Sequence, residues 1–85
     1  MFELGKQYLV KTATDYFSGI CVQEGTDCLL DKAAWIADTG RFADAMRTGE
    51  FLEIEPYPDG MLVRVHAGAI ISSCVWPHPL PRTQK

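Results

Sequence analysis

The sequence lacks the features that mark membrane, exported and nucleic-acid-binding proteins. Its longest apolar runs are too short to cross a bilayer. The N-terminal segment MFELGKQY has neither the basic region nor the apolar stretch of a secretory signal. The eight Lys and Arg residues are scattered and the net charge is −3, so no basic stripe is available to neutralise phosphates. We therefore expect a cytoplasmic protein with no membrane partner, and the charge disfavours nucleic acid.

The sequence also lacks a catalytic motif. It contains no phosphate-binding glycine loop and no nucleophile elbow. Its two histidines, His66 and His78, could act as acid-base groups with Asp27 or Cys74, but no spacing brings such groups into one pocket. We predict that the protein is not an enzyme and needs no cofactor.

Cysteine is scarce, with three residues in the chain. An odd number without an export signal favours reduced thiols, and the spacing matches none of the usual zinc patterns, so we predict no metal site. If Glu24 and Gly25 form a two-residue turn, Cys21 and Cys28 lie opposite each other on a hairpin. Whether these two are ever bridged stays open.

The chain is also short. At 85 residues it is near the size at which one hydrophobic core barely stabilises a fold, and oligomers often supply the missing burial. We expect residues 1–76 to form one domain that self-associates. Residues 77–85, PHPLPRTQK, carry alternating prolines and are expected to form an extended tail that lies across a neighbouring subunit or finishes the fold.

Short segments rich in β-branched and aromatic residues, separated by turn formers, predict five strands. Their hairpin connections favour a mainly β fold, a strongly bent small barrel. Gly19 lies inside the second segment, where a missing side chain permits a sharp bend or a close backbone approach. The five predicted strands are Gln7–Ala13, Phe17–Gln23, Asp27–Leu30 or slightly longer, Met61–His66 and Ala69–Trp76.

One helical pattern lies between the third and fourth predicted strands, in an insertion over residues 33–60. Asp38 and Thr39 can cap a helix over Arg41–Thr48 that ends at Gly49. The following EFLEIEPYPDG could form an irregular strand. We expect this insertion to decorate the outside of the barrel.

Two runs of the chain resemble the motifs of Sm-like proteins. FSGICVQEGTDCLLDKA is similar to their first motif, a strand with a central glycine that turns through a polar loop into an apolar strand ending in acidic residues. VRVHAGAIISS is similar to their second motif, two strands around a tight turn. The resemblance implies an Sm-like barrel and rings formed by pairing edge strands of adjacent subunits. Many members also bind single-stranded RNA at the polar loops.

The resemblance places Thr26 and Asp27 in the first binding loop and His66, Ala67 and Gly68 in the second. Two positions depart from the family pattern. Asp27 stands where an Asn-like base reader is usual, and His66-Ala67 replaces the usual Arg-Gly turn. These departures disfavour RNA and leave the barrel expectation unchanged.

A second resemblance concerns the insertion. AAWIADTGRFADAM, followed at a distance by VWPHPLP, is similar to small uncharacterised proteins of tailed phages and prophages. It implies a viral protein that acts in a virion or in the host cytoplasm.

We therefore predict a non-enzymatic, self-assembling protein, phage- or prophage-encoded, that binds a protein partner through its insertion helix and tail. Large aromatics are favoured at interfaces, although ordinary core packing stays open for both tryptophans. The predicted partner-binding residues are Trp35, Phe42, Met46, Trp76, His78 and Leu80.

The alternative is a module that binds a nucleotide or short RNA, for example as a counter-defence sponge. A phosphate would need Arg64, Lys32 or backbone amides nearby. The predicted ligand-binding residues are Thr26, Asp27, Arg64, His66 and Gly68.

Overall fold

Six β-strands and one short α-helix form the fold, seen in a computed structural model that describes residues 1–85. The fold is mainly β, as predicted, but it has one strand more than the five expected. The elements in chain order are β1 (Gln7–Lys11), β2 (Tyr16–Gln23), β3 (Cys28–Asp38), α1 (Phe42–Thr48), β4 (Glu53–Pro56), β5 (Val63–Val65) and β6 (Ser72–Val75). A single 3₁₀ turn, Ala67–Ala69, lies between β5 and β6.

All strand pairs are antiparallel, in the order β4-β3-β2-β1-β6, and β5 also pairs with β3. The long strand β3 serves two partners, since its first residues pair with β5 and its last residues pair with β4. β5 and β6 pair with no further strand, so the sheet is not closed into a barrel.

The sheet bends where β2 and β3 change register. Ser18 pairs with Ala34, but Ile20 pairs with Asp31, so β3 has one extra residue there. Gly19 lies at this shift, and a Cβ on it would stand 2.8 Å from the Cβ of Leu30. The close backbone approach expected at Gly19 is therefore present, and it excludes any larger residue.

Because side chains alternate along a strand, the sheet buries residues on both faces. β1 shows this directly, since Tyr8 and Val10 enter one cluster and Leu9 enters the other. The cluster that we name the hairpin core comprises Phe2, Tyr8, Val10, Cys21, Cys28, Leu30, Ala33 and Val65. The helix core on the other face comprises Leu9, Ala34, Ile36, Ala45, Phe51, Ile54 and Trp76.

The prediction that residues 33–60 decorate the outside was wrong. Residues 33–38 continue β3, and β4 adds a strand to the sheet. Ala45, Phe51 and Ile54 are buried in the helix core. The segment is integral because the face of the sheet that carries Leu9 must be covered by apolar side chains from elsewhere in the chain.

The predicted helix is confirmed, but its predicted cap is wrong. The N-cap of α1 is Arg41, and no side chain bonds to the first turn. Asp38 instead accepts a hydrogen bond from the amide of Gly40 at 2.8 Å. Gly49 ends the helix as expected, with a left-handed φ of 79°.

The tail over residues 77–85 has no regular secondary structure and folds back on its own chain. Lys85 and Ile54 exchange two backbone hydrogen bonds, of 2.9 and 3.0 Å. The Arg82 guanidinium donates to the carbonyls of Ala33 and Tyr57, at 2.8 and 3.0 Å, and to Asp59 at 2.9 Å. The tail therefore packs against its own chain, one of the two roles expected for it.

Candidate interaction surfaces

β6 is an open edge of the sheet, because it pairs with β1 and with no other strand. The amide of Trp76, directly after β6, donates to the carbonyl of Gln7 at 2.7 Å and so faces β1. In an antiparallel ladder the direction alternates from residue to residue, so the backbone groups of Ser73 and Val75 face away from β1. β6 thus presents unpaired donors and acceptors to solvent.

The other edges of the sheet differ from one another. β4 is covered where Lys85 of the tail pairs with Ile54. β5 bonds to β3 alone, and its outer edge is open like that of β6. The chain therefore has two open edges, β5 and β6, joined by the 3₁₀ turn Ala67–Ala69.

Exposed apolar side chains accompany both open edges. Met61 and Leu62, just before β5, are 49% and 51% exposed. Ile71, directly before β6, and Val75, its last residue, are 64% and 55% exposed. An incoming strand at either edge would remove this apolar surface from water.

An apolar groove of about 140 Å³ runs beside β6. Helix α1 forms one wall with Phe42 and Met46, two of the predicted partner-binding residues. Cys74 of β6 and Leu9 of β1 line the other wall. The full lining is Leu9, Lys11, Tyr16, Phe42, Met46, Ser72, Ser73 and Cys74.

The three predicted contact residues of the C-terminal segment make contacts within the chain. Trp76 is 2% exposed and stacks on Phe51, with ring centroids 5.3 Å apart. His78 bonds through Nε2 to the Met46 carbonyl at 2.8 Å, and Leu80 packs against the helix core. Trp76 is thus a core residue, and its ring is not available to a partner.

The two predicted ligand loops, one with Thr26 and Asp27 and the other with His66 and Gly68, lie next to each other. The Asp27 carboxylate accepts a 2.7 Å hydrogen bond from the amide of Ala67 and lies 3.8 Å from Arg64 and 3.7 Å from His66. The hydrogen bond from Ala67 lowers the pKa of Asp27, and His66 and Arg64 act in the same direction. Thr26 lines a cavity of about 160 Å³ beside Asp27 and Arg64.

Gly68, the remaining predicted ligand residue, lies in the 3₁₀ turn that the Asp27 carboxylate caps. The Asp27 carboxylate therefore stabilises the turn between β5 and β6 through its hydrogen bond to the Ala67 amide. The sequence pattern did not reveal this bond.

Trp35 lies apart from these surfaces, on the second half of β3, with 39% of its surface exposed. Its indole Nε1 donates to Asp15 at 3.0 Å. The ring is therefore held in place at the protein surface.

Cys21 and Cys28 are buried and unbridged in the hairpin core, whereas Cys74 is exposed. They are not opposite each other as predicted, since Cys21 pairs with Leu30 and Cys28 pairs with Val65. The connection is longer than the two-residue turn assumed, since Gln23 pairs with Leu29 and the five residues Glu24–Cys28 lie between them. No group of three or more His, Cys, Asp or Glu side chains is arranged to hold a metal ion.

Comparisons with protein-family models, curated proteins and solved structures found no significant match. No α-helix in the chain has the length and apolar character needed to span a bilayer.

Proposed function

We propose that the protein is a non-enzymatic assembly module in which the open β6 edge of one copy pairs with the open β5 edge of the next. The observation that carries this proposal is the unpaired outer backbone of β6. Proteins usually protect such edges with charged residues, prolines or a covering segment. The sequence of β6, SSCV, contains no charge and no proline, and the tail covers β4 instead.

Pairing between β5 and β6 is heterologous, since two different surfaces meet. A contact of this kind closes into a ring when the rotation between copies allows it and otherwise forms a filament. Each new junction would satisfy the outward backbone groups of Ser73 and Val75 and cover apolar side chains on both partners. The groove beside β6 offers Phe42 and Met46 as further contacts for the incoming copy.

This arrangement agrees with the edge pairing that the Sm-like motifs imply. The approach of Asp27 to the turn that holds His66 and Gly68 also agrees with that resemblance. We therefore retain an Sm-like, phage-encoded assembly protein as the full form of the proposal.

Light scattering coupled to size-exclusion chromatography tests the assembly. We expect the wild-type mass to be a whole multiple of the monomer. In Ser73→Pro the substitution removes an amide that faces away from β1, so the β1–β6 ladder stays intact while the outer edge loses a donor. Val75→Lys places a charge on the same edge. Both variants should give monomers with an unchanged circular dichroism spectrum.

Leu52→Lys is the matched control, because Leu52 is also exposed, at 59%, but lies before β4 at the other end of the sheet. It should assemble like the wild type. A monomeric wild type at tens of micromolar, or a folded Ser73→Pro variant with the wild-type mass, would contradict the proposal.

A second candidate function is the capture of a nucleotide or short RNA at the loops of Asp27 and His66. It is favoured by the contact between these loops and by Arg64 at their centre. The absorbance ratio of the purified protein at 260 and 280 nm tests it. A protein-only spectrum, with no change in the elution of a labelled oligonucleotide, would exclude this function and leave the assembly proposal intact.

A further inference from the structure

Trp35 belongs to a surface that the assembly proposal does not use. It lines an open cleft of about 250 Å³ together with Glu55, Pro56, Tyr57 and Pro58. Trp35 and Glu55 are paired across β3 and β4, so their side chains stand on the same face of the sheet. The cleft thus combines two aromatic rings, two prolines and one carboxylate.

The indole ring is fixed before any partner arrives. Its Nε1 donates to Oδ1 of Asp15, and Oδ2 of Asp15 accepts a 2.8 Å bond from the hydroxyl of Thr14. A ring held at one edge by a hydrogen bond loses little conformational entropy on binding. The bond also occupies the only hydrogen-bond donor of the indole, so the ring offers its face rather than its N–H to a ligand.

Glu55 is the one charged side chain that lines the cleft, and beside the cleft the Arg82 guanidinium donates to the carbonyl of Tyr57. Glu55, Glu53 and Asp15 form no ion pair in the structure, although five ion pairs of a lysine or arginine with a carboxylate are present elsewhere in the chain. The only bond that the Glu55 carboxylate accepts from a side chain is a long one, 3.4 Å, from Gln84. No lysine or arginine lines the cleft.

We propose that this cleft binds a basic segment of a partner protein, with an arginine or lysine side chain stacked on Trp35 and its charge facing Glu55. A cation is attracted to the face of an aromatic ring, most strongly to tryptophan, and a neighbouring carboxylate strengthens the contact. Charge complementarity selects this occupant over a neutral apolar segment. The site is separate from β5 and β6, so a partner could bind there while copies assemble.

Nuclear magnetic resonance can follow the site directly, because the two tryptophans give two indole N–H signals. Titration with a tetra-arginine peptide should shift the Trp35 signal and leave that of the buried Trp76 in place. A tetra-citrulline peptide, which keeps the shape without the charge, and a hexaproline peptide are the comparison ligands. Both should bind at least about tenfold more weakly.

Two substitutions test the residues. Trp35→Ala removes the indole signal, so its binding is measured by isothermal titration calorimetry beside the wild type, and it should bind tetra-arginine roughly tenfold more weakly. Glu55→Gln should also weaken tetra-arginine binding. Because Glu55 is exposed, this variant should stay folded and can test the site even if Trp35→Ala unfolds. Glu24→Gln removes an unpaired carboxylate from the β2–β3 turn and should leave binding unchanged. None of these changes should alter the mass of the assembly, which separates this proposal from the previous one.

The proposal is overturned if tetra-arginine leaves the Trp35 signal in place, or if Glu24→Gln weakens binding as much as Glu55→Gln. Equal or tighter binding of hexaproline would identify a proline-binding cleft instead. A shift of the Trp35 signal on concentrating the protein alone would identify a second copy as the occupant. Either result would exclude the basic partner.

Discussion

The hairpin core and the helix core lie on opposite faces of one sheet, but they are assembled from different parts of the chain. Most of the hairpin core comes from strands joined by short turns, and Phe2 and Val65 complete it. The helix core combines Leu9 of β1 with Ala45 of α1 and with Trp76 from the start of the C-terminal segment. One face therefore depends mainly on local hairpins, and the other depends on contacts between distant segments.

The two cores also differ in their polar content. Ser18 pairs with Leu9 and Ala34 and so faces the helix core, and its hydroxyl has no hydrogen-bond partner. The indole N–H of Trp76 is also buried without a partner. An unsatisfied buried group costs about 1–3 kcal/mol. The helix core thus depends on apolar packing to offset these costs, and it should be the more sensitive of the two to loss of a large side chain.

Loss of Trp76 should have the largest effect. Trp76→Ala removes a ring that is 2% exposed and stacked on Phe51, and we expect it to cost about 3–5 kcal/mol of unfolding free energy. Trp35→Ala, at a half-exposed site, should cost about 1 kcal/mol or less. Urea denaturation followed by circular dichroism measures both. Equal losses would show that the helix core does not depend on the C-terminal segment.

Removal of the Arg82 contacts should come next. Arg82→Ala removes the guanidinium that donates to the carbonyls of Ala33 and Tyr57, and only the Ala33 carbonyl keeps another donor, the amide of Tyr57. We expect a loss of about 1.5–3 kcal/mol of unfolding free energy. Arg82→Lys should recover only part of it, because an ammonium cannot reach both carbonyls in the fork geometry. Lys85→Ala breaks a surface ion pair with Glu50 and should change the unfolding free energy by less than about 1 kcal/mol. If all three variants have the same unfolding free energy, the hydrogen bonds of Arg82 do not contribute to stability.

Lys32 connects the two halves of β3, and its backbone is strained. Its φ of 50° is left-handed, which costs a non-glycine residue about 1 kcal/mol. Lys32→Gly should therefore raise the unfolding free energy by up to about 1 kcal/mol. Lys32→Ala keeps the strain and should leave stability nearly unchanged. A lower unfolding free energy in Lys32→Gly would show that the Lys32 side chain stabilises the fold by more than its left-handed backbone destabilises it.

Thiol reactivity should distinguish the hairpin core from the β6 edge. Burial raises the pKa of the Cys28 thiol to about 12, and Cys21 beside it adds to the rise. In the dilute, unassembled protein a thiol reagent at pH 8 should therefore label Cys74 alone. Unfolding should release all three thiols. Rapid labelling of Cys21 or Cys28 in the folded protein would mean that the hairpin core opens readily.

The local pattern of the sequence was sufficient to predict much of the sheet. Alternating apolar residues between turn formers located β1, β2, β5 and β6, and the predicted segments extend a few residues beyond most of the observed strands. Gly19 indicated the bend because glycine weakens a strand, so its presence inside one suggests a place where the neighbouring strand leaves no room for a side chain. Gly49 indicated the end of the helix because a left-handed residue is needed there.

The candidate surfaces could be predicted less well. The sequence brought Asp27 together with His66 only through a family resemblance, and it did not indicate that the Ala67 amide is the partner of Asp27. Trp35 and Trp76 each follow two apolar residues, yet Trp35 is 39% exposed and Trp76 is buried. Composition near a tryptophan does not specify which face of the sheet it occupies or what covers that face.

The sequence by itself determined the single helix, the absence of a basic stripe and the position of the bend, because each depends on residue types or on residues close together in the chain. Only the tertiary structure decided that residues 33–60 and the tail complete a core and that β5 and β6 stay open. Those outcomes depend on pairing and packing between segments far apart in sequence, and no local pattern encodes which edge the tail will cover.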